Sequence, residues 1–409
     1  MSRPVLRFRD DDEKEFPPWE KRNIGFYLKE KNIKETESAK APLMAFVAKL
    51  GVVPKGERFD RSALIKTVNK QYKRTDYGDF IYSSNNLDVG AIGLNLYGSA
   101  VISPVYEVFS SRNNGNLSCL SLLIQQPKSL HKILEYRQGV TYGQYRIHPQ
   151  DFLSVSLDFP MIKEQNKIGE FVSVYDDMVD YQSKRLQALQ RRKLGLLQGI
   201  FSQTIRFRDS DGREFPPWEE KRLGDIAQFI KGLSFSKQEV SQNNASTLVI
   251  RSSNIRANYV IDYASDVQYV VKQPNPEQLL QKGDVVVCLA NGSDRLVGKS
   301  AYYNGKYTGN ITVGAFCGIL RSNHPICKYL IQTTQYKNEV YKLKQGGNGA
   351  LANLYGKDIL GLRFLVPSLE EQRRIAEFLG WGDREIELEA QRLETMKTIK
   401  KGLLQQMFI

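Results

Sequence analysis

The sequence predicts an α/β (α+β) chain: two similar globular domains with mixed or antiparallel sheets, separated by two long helices forming an antiparallel, pseudo-two-fold coiled coil. Three observations carry this prediction: a repeated Trp-bearing motif, a repeated heptad strip, and short β-branched runs between them. At 409 residues the chain exceeds what one hydrophobic core supports. Residues 7–20 read RFRDDDEKEFPPWE and residues 206–219 read RFRDSDGREFPPWE, identical at 11 of 14 positions. A repeat of that fidelity sets the architecture before any local pattern does.

A second pair of segments matches without gaps at an offset of 207, residues 167–201 on 374–408. Upstream, Gln138-Gly139 answers Gln345-Gly346, Asp151 answers Asp358, Pro160 answers Pro367, and Glu164-Gln165 answers Glu371-Gln372. Between these shared edges the copies diverge. The division that follows is a globular domain over 1–160, a helix over 161–203, a second globular domain over 204–366 and a second helix over 367–409.

Each element has its own reason. In the first domain DFIYSS (79–84), SAVISPVYEVF (99–109) and SCLSLLI (118–124) read as strands, and PKSLHKILEYRQ (127–138) as a helix. The first long helix opens after Pro160 with Lys163-Glu164, suitable N-terminal chemistry. Alternating steps of four and three select Ile168, Val172, Tyr175, Val179, Gln182, Leu186, Leu189, Lys193, Leu196 and Ile200 as its seam. In the second domain STLVIRS (246–252), DVVVCLA (284–290) and NITVGAFCGIL (310–320) read as strands, and residues 325–345 as helical. The second long helix repeats the seam through Ile375, Leu379, Gly382, Ile386, Glu389, Leu393, Met396, Lys400, Leu403 and Met407. A strip this narrow and sustained predicts helix-on-helix pairing, with polar interruptions at matching places that fix register. A rod of ~50 Å results from ~33 residues at helical rise, and antiparallel pairing would set the two domains at its opposite ends.

The net charge of +13 is unevenly spread. Residues 161–203 carry +2 and residues 367–409 carry −1, so the globular domains hold +12. Basic domains on a near-neutral rod point to a polyanionic partner. In the first domain the charge concentrates at Lys55, Arg58, Arg61, Lys66, Lys70, Lys73 and Arg74, with Tyr72 and Tyr77 interleaved. In the second, three loops qualify: Lys231, Ser234 and Lys237; Arg251, Ser253, Asn254 and Arg256; and Asn291, Ser293, Arg295 and Lys299. Arg, Lys and Asn reach base edges, while Ser and Lys hold phosphates. As single residues these read as solvated charges; as a face they read as a nucleic-acid contact.

Catalytic readings find little support. FLGWG (378–382) resembles an S-adenosylmethionine loop, but it lies in the heptad seam and its duplicate FVSVY (171–175) has no glycine. FPPW lacks the polar first residue that would hold a target amino group. GSDRLVGKS (292–300) has five residues between its glycines where a phosphate-binding loop has four. The three histidines, His131, His148 and His324, show no metal spacing, and no nucleophile with a base is recognisable. Cys119, Cys288, Cys317 and Cys327 are widely spaced, as expected of reduced cytoplasmic thiols. No apolar run approaches the ~18 residues a membrane span needs, and no secretory h-region is visible.

Two variable basic domains, each opened by FPPWEKRNIG (16–25) or FPPWEEKRLG (215–224) and closed by PMIKEQNKI (160–168) or PSLEEQRRI (367–375), resemble the specificity subunit of type I restriction–modification enzymes. After the shared FPPWE the first copy reads Lys21-Arg22-Asn23-Ile24-Gly25 where the second reads Glu220-Lys221-Arg222-Leu223-Gly224. The resemblance implies that each domain reads one half of a split, asymmetric double-stranded DNA target. It implies that the helices space the domains and dock two methyltransferase subunits, joined by two restriction/motor subunits. S-adenosylmethionine, ATP and Mg²⁺ belong to those partners, and this chain carries no cofactor, metal or catalytic residue of its own. Two other readings stay open at this stage: a stand-alone bipartite DNA-binding regulator, and a DNA adenine methyltransferase.

Overall fold

A computed structural model describes residues 4–48, 50–54, 70–84, 91–141, 144–243, 246–256, 259–292, 296–345 and 353–408. The chain forms two compact units, Met1–Ser183 with Arg392–Ile409, and Lys184–Gln391. Two helices, α1 (Ile162–Phe201) and α2 (Leu369–Met407), contribute residues to both. The units therefore divide within the helices, not at the domain edges read from the sequence.

In the first unit, β1 (Leu28–Glu30), β2 (Phe80–Ser83), β3 (Ile92–Leu94) and β4 (Tyr106–Ser111) form an antiparallel sheet in the order β1-β4-β2-β3. Its buried side chains Phe80, Tyr82 and Phe109 pack on Phe152, with the Tyr82 and Phe152 rings 4.7 Å apart. A second, three-stranded antiparallel sheet joins Lys34–Glu35, Tyr72–Thr75 and Ala100–Ile102. Residues 118–124, read from sequence as a strand, lie instead in a helix, Leu117–Ile124. Asn116 caps it by accepting the Cys119 amide at 3.1 Å. Because the helix is buried on most sides, its apolar run showed no helical period.

In the second unit, the strands are β5 (Gln228–Lys231), β6 (Thr247–Ile250), β7 (Val285–Cys288), β8 (Ser300–Tyr302), β9 (Ile311–Val313) and β10 (Cys317–Arg321). The order β5-β10-β7-β8 repeats that of the first unit's sheet, again antiparallel. The other sheet is mixed, since β6 pairs parallel to β9 and antiparallel to Gln268–Val270. The helical stretch over 325–345 is two helices, Cys327–Leu330 and Thr334–Gln345.

The repeated motifs build one junction twice. Glu164 at the start of α1 is 1% exposed and accepts from Arg7 Nε at 2.9 Å, Arg7 Nη2 at 2.7 Å and Trp19 Nε1 at 3.2 Å. Glu371 at the start of α2 is fully buried and accepts from Arg206 Nε at 3.0 Å, Arg206 Nη2 at 3.2 Å and Trp218 Nε1 at 2.9 Å. The neighbouring glutamines turn back, Gln165 to the Pro160 carbonyl and Gln372 to the Pro367 carbonyl. The buried carboxylates are thus satisfied, as burial demands. This explains why Trp and Glu-Gln recur together.

Every seam position is buried or half-buried, from Ile168, Val172, Tyr175, Val179, Leu186, Leu189 and Leu196 in α1 to Ile375, Leu379, Ile386, Leu393, Met396 and Leu403 in α2. In the first unit Tyr175 Oη donates to the Met396 carbonyl at 3.2 Å, and Lys400 pairs with Asp176. In the second, Arg185 pairs with Glu389 at 3.1 Å and Lys193 with Asp383 at 2.6 Å. In the second unit the partners advance along one helix as they retreat along the other, so the pairing there is antiparallel. The polar interruptions Lys193 and Lys400 each hold an aspartate, and the two pairs correspond through the 207-residue offset. The strip has a second role: Ile168 and Met407 also enter the first unit's globular core, as do Ile200, Ile375 and Leu379 the second's. Among the described residues no helix is long and apolar enough to cross a membrane.

Candidate nucleic-acid interface

Four strand ends meet in the second unit. Just after β5, the Leu233 amide donates to Val313 at the end of β9, 2.7 Å away. The Gly314 amide, just past β9, donates to Ile250 at the end of β6 at 2.9 Å. Beyond β7, the amides of Leu289 and Ala290 both donate to the Phe316 carbonyl, at 2.8 and 3.3 Å. Asn291 Nδ2 then reaches Ser252 Oγ at 2.8 Å. Glycine is required at one contact: a Cβ on Gly232 would lie 2.2 Å from the Gly314 carbonyl oxygen. The three loops singled out in the sequence are therefore neighbours in space.

Within that cluster Lys231, Ser234, Lys237 and Ser253 are exposed, and Lys299 is half-buried. Burial depresses the Lys299 ammonium below its ordinary range, against an opposing pull from Cys288. The two arginines are engaged by aspartates, Arg251 half-buried and Arg256 exposed. Arg251 pairs with Asp266 at 2.6 Å, and Arg256 with Asp262. Arg256, with the amides of Ser265 and Ala264, holds the Asp262 carboxyl well below the usual carboxylate range. Ser253 Oγ also donates to Asp266, at 2.7 Å. Asn254, expected at the interface, is corrected: it is 1% exposed, accepts the Arg251 amide and donates to the Ser265 carbonyl. It shapes the loop and is out of reach of a ligand. Ser293 and Arg295 lie outside the described residues.

The first unit assembles less of its predicted face. Lys55, Arg58, Arg61 and Lys66 lie outside the described residues. Lys70 is exposed, its ammonium 5.7 Å from the centroid of the Tyr72 ring. Lys73 is corrected, being 7% exposed and ion-paired with buried Glu107. Arg74 is engaged by Glu35 at 2.6 Å and Asp76 at 2.9 Å. Burial opposes ionisation of Asp76, yet Lys31, Ser99 and Arg74 together hold its carboxyl well below the usual range. These charges stabilise the sheet they sit on.

A second surface lies on the helices. In the second unit, Leu189, Leu196, Phe378, Trp381, Ile386 and Leu388 line a groove of about 670 Å³ between α1 and α2. Trp381 is 64% exposed, with the Arg384 guanidinium 4.2 Å from its ring centroid. The corresponding α1 positions in the first unit, Val174 and Tyr181, are also exposed, as is Met178 beside them. FLGWG therefore belongs to a helix surface. No group of three or more His, Cys, Asp or Glu that could hold a metal occurs among the described residues.

The sequence pattern predicts one strand over 310–320, where the structure has β9 and β10 joined by a turn. Gly314 inside that apolar run is the signal for the break. Nothing in the spacing of Arg7, Trp19 and Glu164 announces that they meet.

Comparison with known proteins places these features. Residues 216–398 match the family described as Type I restriction modification DNA specificity domain. The chain is 23% identical over 266 residues to the MjaVIII type I restriction enzyme specificity subunit of Methanocaldococcus jannaschii, covering 62% of this chain and 61% of that one. It is 27% identical over 195 residues to the EcoKI specificity subunit of Escherichia coli, covering 46% and 41%. The chain thus spans about three-fifths of the archaeal relative and two-fifths of the bacterial one. In fold it is similar to the S subunit of a type I restriction–modification system from M. genitalium, with a TM-score of 0.58, 15% identity and 99% of both chains covered.

Proposed function

We propose that the chain is a member of the family of type I restriction–modification specificity subunits, and that it is the subunit that reads a bipartite DNA site, one half per globular domain. The observation that carries this reading is the meeting of three polar loops at the ends of β5, β6, β7 and β9, inside the matched span. Loops on a rigid sheet can vary without cost to the scaffold, and base edges in the major groove need such side chains. The exposed apolar faces of α1 and α2 dock two methyltransferase subunits, which bind S-adenosylmethionine and methylate adenine. Two restriction/motor subunits supply ATP- and Mg²⁺-dependent translocation and cleavage. This chain performs none of those reactions, and it works in the cytoplasm, where the DNA is.

Methylome sequencing of cells carrying the chain with its partners tests the proposal. It should reveal one split motif, and replacing residues 1–160 with another such domain should change one half only. A change in both halves would refute modular readout. Trp381→Asp should release a methyltransferase from the purified assembly while leaving the fold intact. Clear S-adenosylmethionine binding by the chain alone, in calorimetry, would instead favour a methyltransferase.

A further inference from the structure

The turn joining β9 to β10 presents an apolar side chain at the centre of the polar loops. It is a four-residue turn, closed by the Cys317 amide donating to the Gly314 carbonyl at 2.8 Å. Gly314 is tied to β6 and the Phe316 carbonyl to the end of β7, so the backbone is fixed on both sides. Ala315 and Phe316 alone point outward, and Phe316 is 70% exposed. The first unit builds the same turn between Ala100–Ile102 and β4, with the Tyr106 amide donating to Ser103 at 3.2 Å. Ser84 Oγ, at the end of β2, donates to the Val105 carbonyl at 3.3 Å, and Val105 is 50% exposed. Two turns closed by the same backbone bond, at the same place before β4 and β10 of the repeated sheet, thus display different apolar side chains. Neither side chain supports its own core.

We propose that Phe316, and Val105 in the corresponding turn, are specificity-determining residues that contact the C5 methyl of a thymine in the major groove. This rests on the DNA-reading function proposed above. Among the described residues of the three loops, Arg251 and Arg256 on the loop after β6 are engaged by Asp266 and Asp262, and the β9–β10 turn beside that loop offers an apolar contact. The thymine methyl is the one apolar group that the major groove presents. A turn already tied by its backbone loses little freedom on contact, so the full benefit of burying the methyl goes into discrimination.

The test uses the full chain in the assembly in which it purifies. Selection from random-sequence DNA defines the two half-sites, and each thymine is then replaced by uracil, which lacks only the methyl. One uracil substitution should weaken wild-type binding roughly fourfold, the value of one buried methyl group. Phe316→Ala should weaken binding to the thymine site similarly and be insensitive to that same uracil, whereas Phe316→Leu should keep part of the sensitivity. Val105→Ala should do the same in the other half-site. If Phe316→Ala responds to every uracil as the wild type does, the proposal fails while the DNA-reading function stands. If the wild type selects no sequence at all, that function itself fails.

Discussion

The two units share one sheet and differ in the other. In each, a four-stranded antiparallel sheet of the same order sits against a helix start held by an Arg–Trp–Glu junction. The second sheet is antiparallel and three-stranded in one unit, mixed and four-stranded in the other. What is repeated are contacts between segments distant in sequence, such as Arg206 with Glu371, where both partners must persist. What differs are the loops and the strands of the second sheet, which can change without disturbing that junction. Shared scaffold and variable loops are thereby separated within each unit.

Removing a shared element from one unit should show how independent the two are. Deleting residues 392–409 takes Met407 and Phe408 out of the first unit's core. It should unfold that unit while the second retains its amide protection in hydrogen exchange; loss of both would show that they fold as one. Next in size, Glu371→Ala leaves Arg206 and Trp218 without their buried acceptor, costing about 3–5 kcal/mol of second-unit stability in denaturant unfolding. Glu164→Ala should cost a similar amount in the first unit, and a large disparity would mean that the repeated junctions are not energetically equivalent.

The seam pairs sharpen the comparison further. Asp383 is held by Lys193, by Lys328 and by the Tyr329 hydroxyl at 2.9 Å, whereas Asp176 lies more open to solvent beside Lys400. Asp383→Asn should therefore cost about 2 kcal/mol and Asp176→Asn under ~1 kcal/mol; equal losses would erase the distinction. Burial acts to raise the Asp383 carboxyl, but Lys193, Lys328 and Tyr329 hold it below the ordinary value. A lowered folded pKa contributes stability that is complete above the unfolded value of about 4 and is lost as pH falls through the folded one. The gap between wild type and Asp383→Asn, measured by unfolding at neutral pH and near pH 2, should shrink in acid.

Much of the architecture was legible because repetition made it so. The seam, both helix starts and the two central strands of each repeated sheet follow from periodicity and from the duplicated Trp and Glu-Gln motifs. The helix Leu117–Ile124 was not legible, because a run buried on most sides has no periodicity to read. Of the candidate site, the proximity of three loops was suggested by composition, but the fate of each charge was not. Lys73 meets Glu107, 34 residues on, and Asn254 meets the Ser265 carbonyl; only the fold brings those partners near. Phe316 was hidden for the opposite reason, since an exposed phenylalanine between two strands reads as one more core residue.

One asymmetry concerns time. The second unit is a single uninterrupted stretch, Lys184–Gln391, while the first needs both Met1–Ser183 and Arg392–Ile409. Ribosomal synthesis proceeds from the N-terminus and domains fold as units. The earlier-made domain therefore cannot bring Phe408 against Trp19 until translation has passed the whole of the later one. The order of synthesis and the order of completion are reversed, and the first domain waits on the ribosome with part of its core still to come.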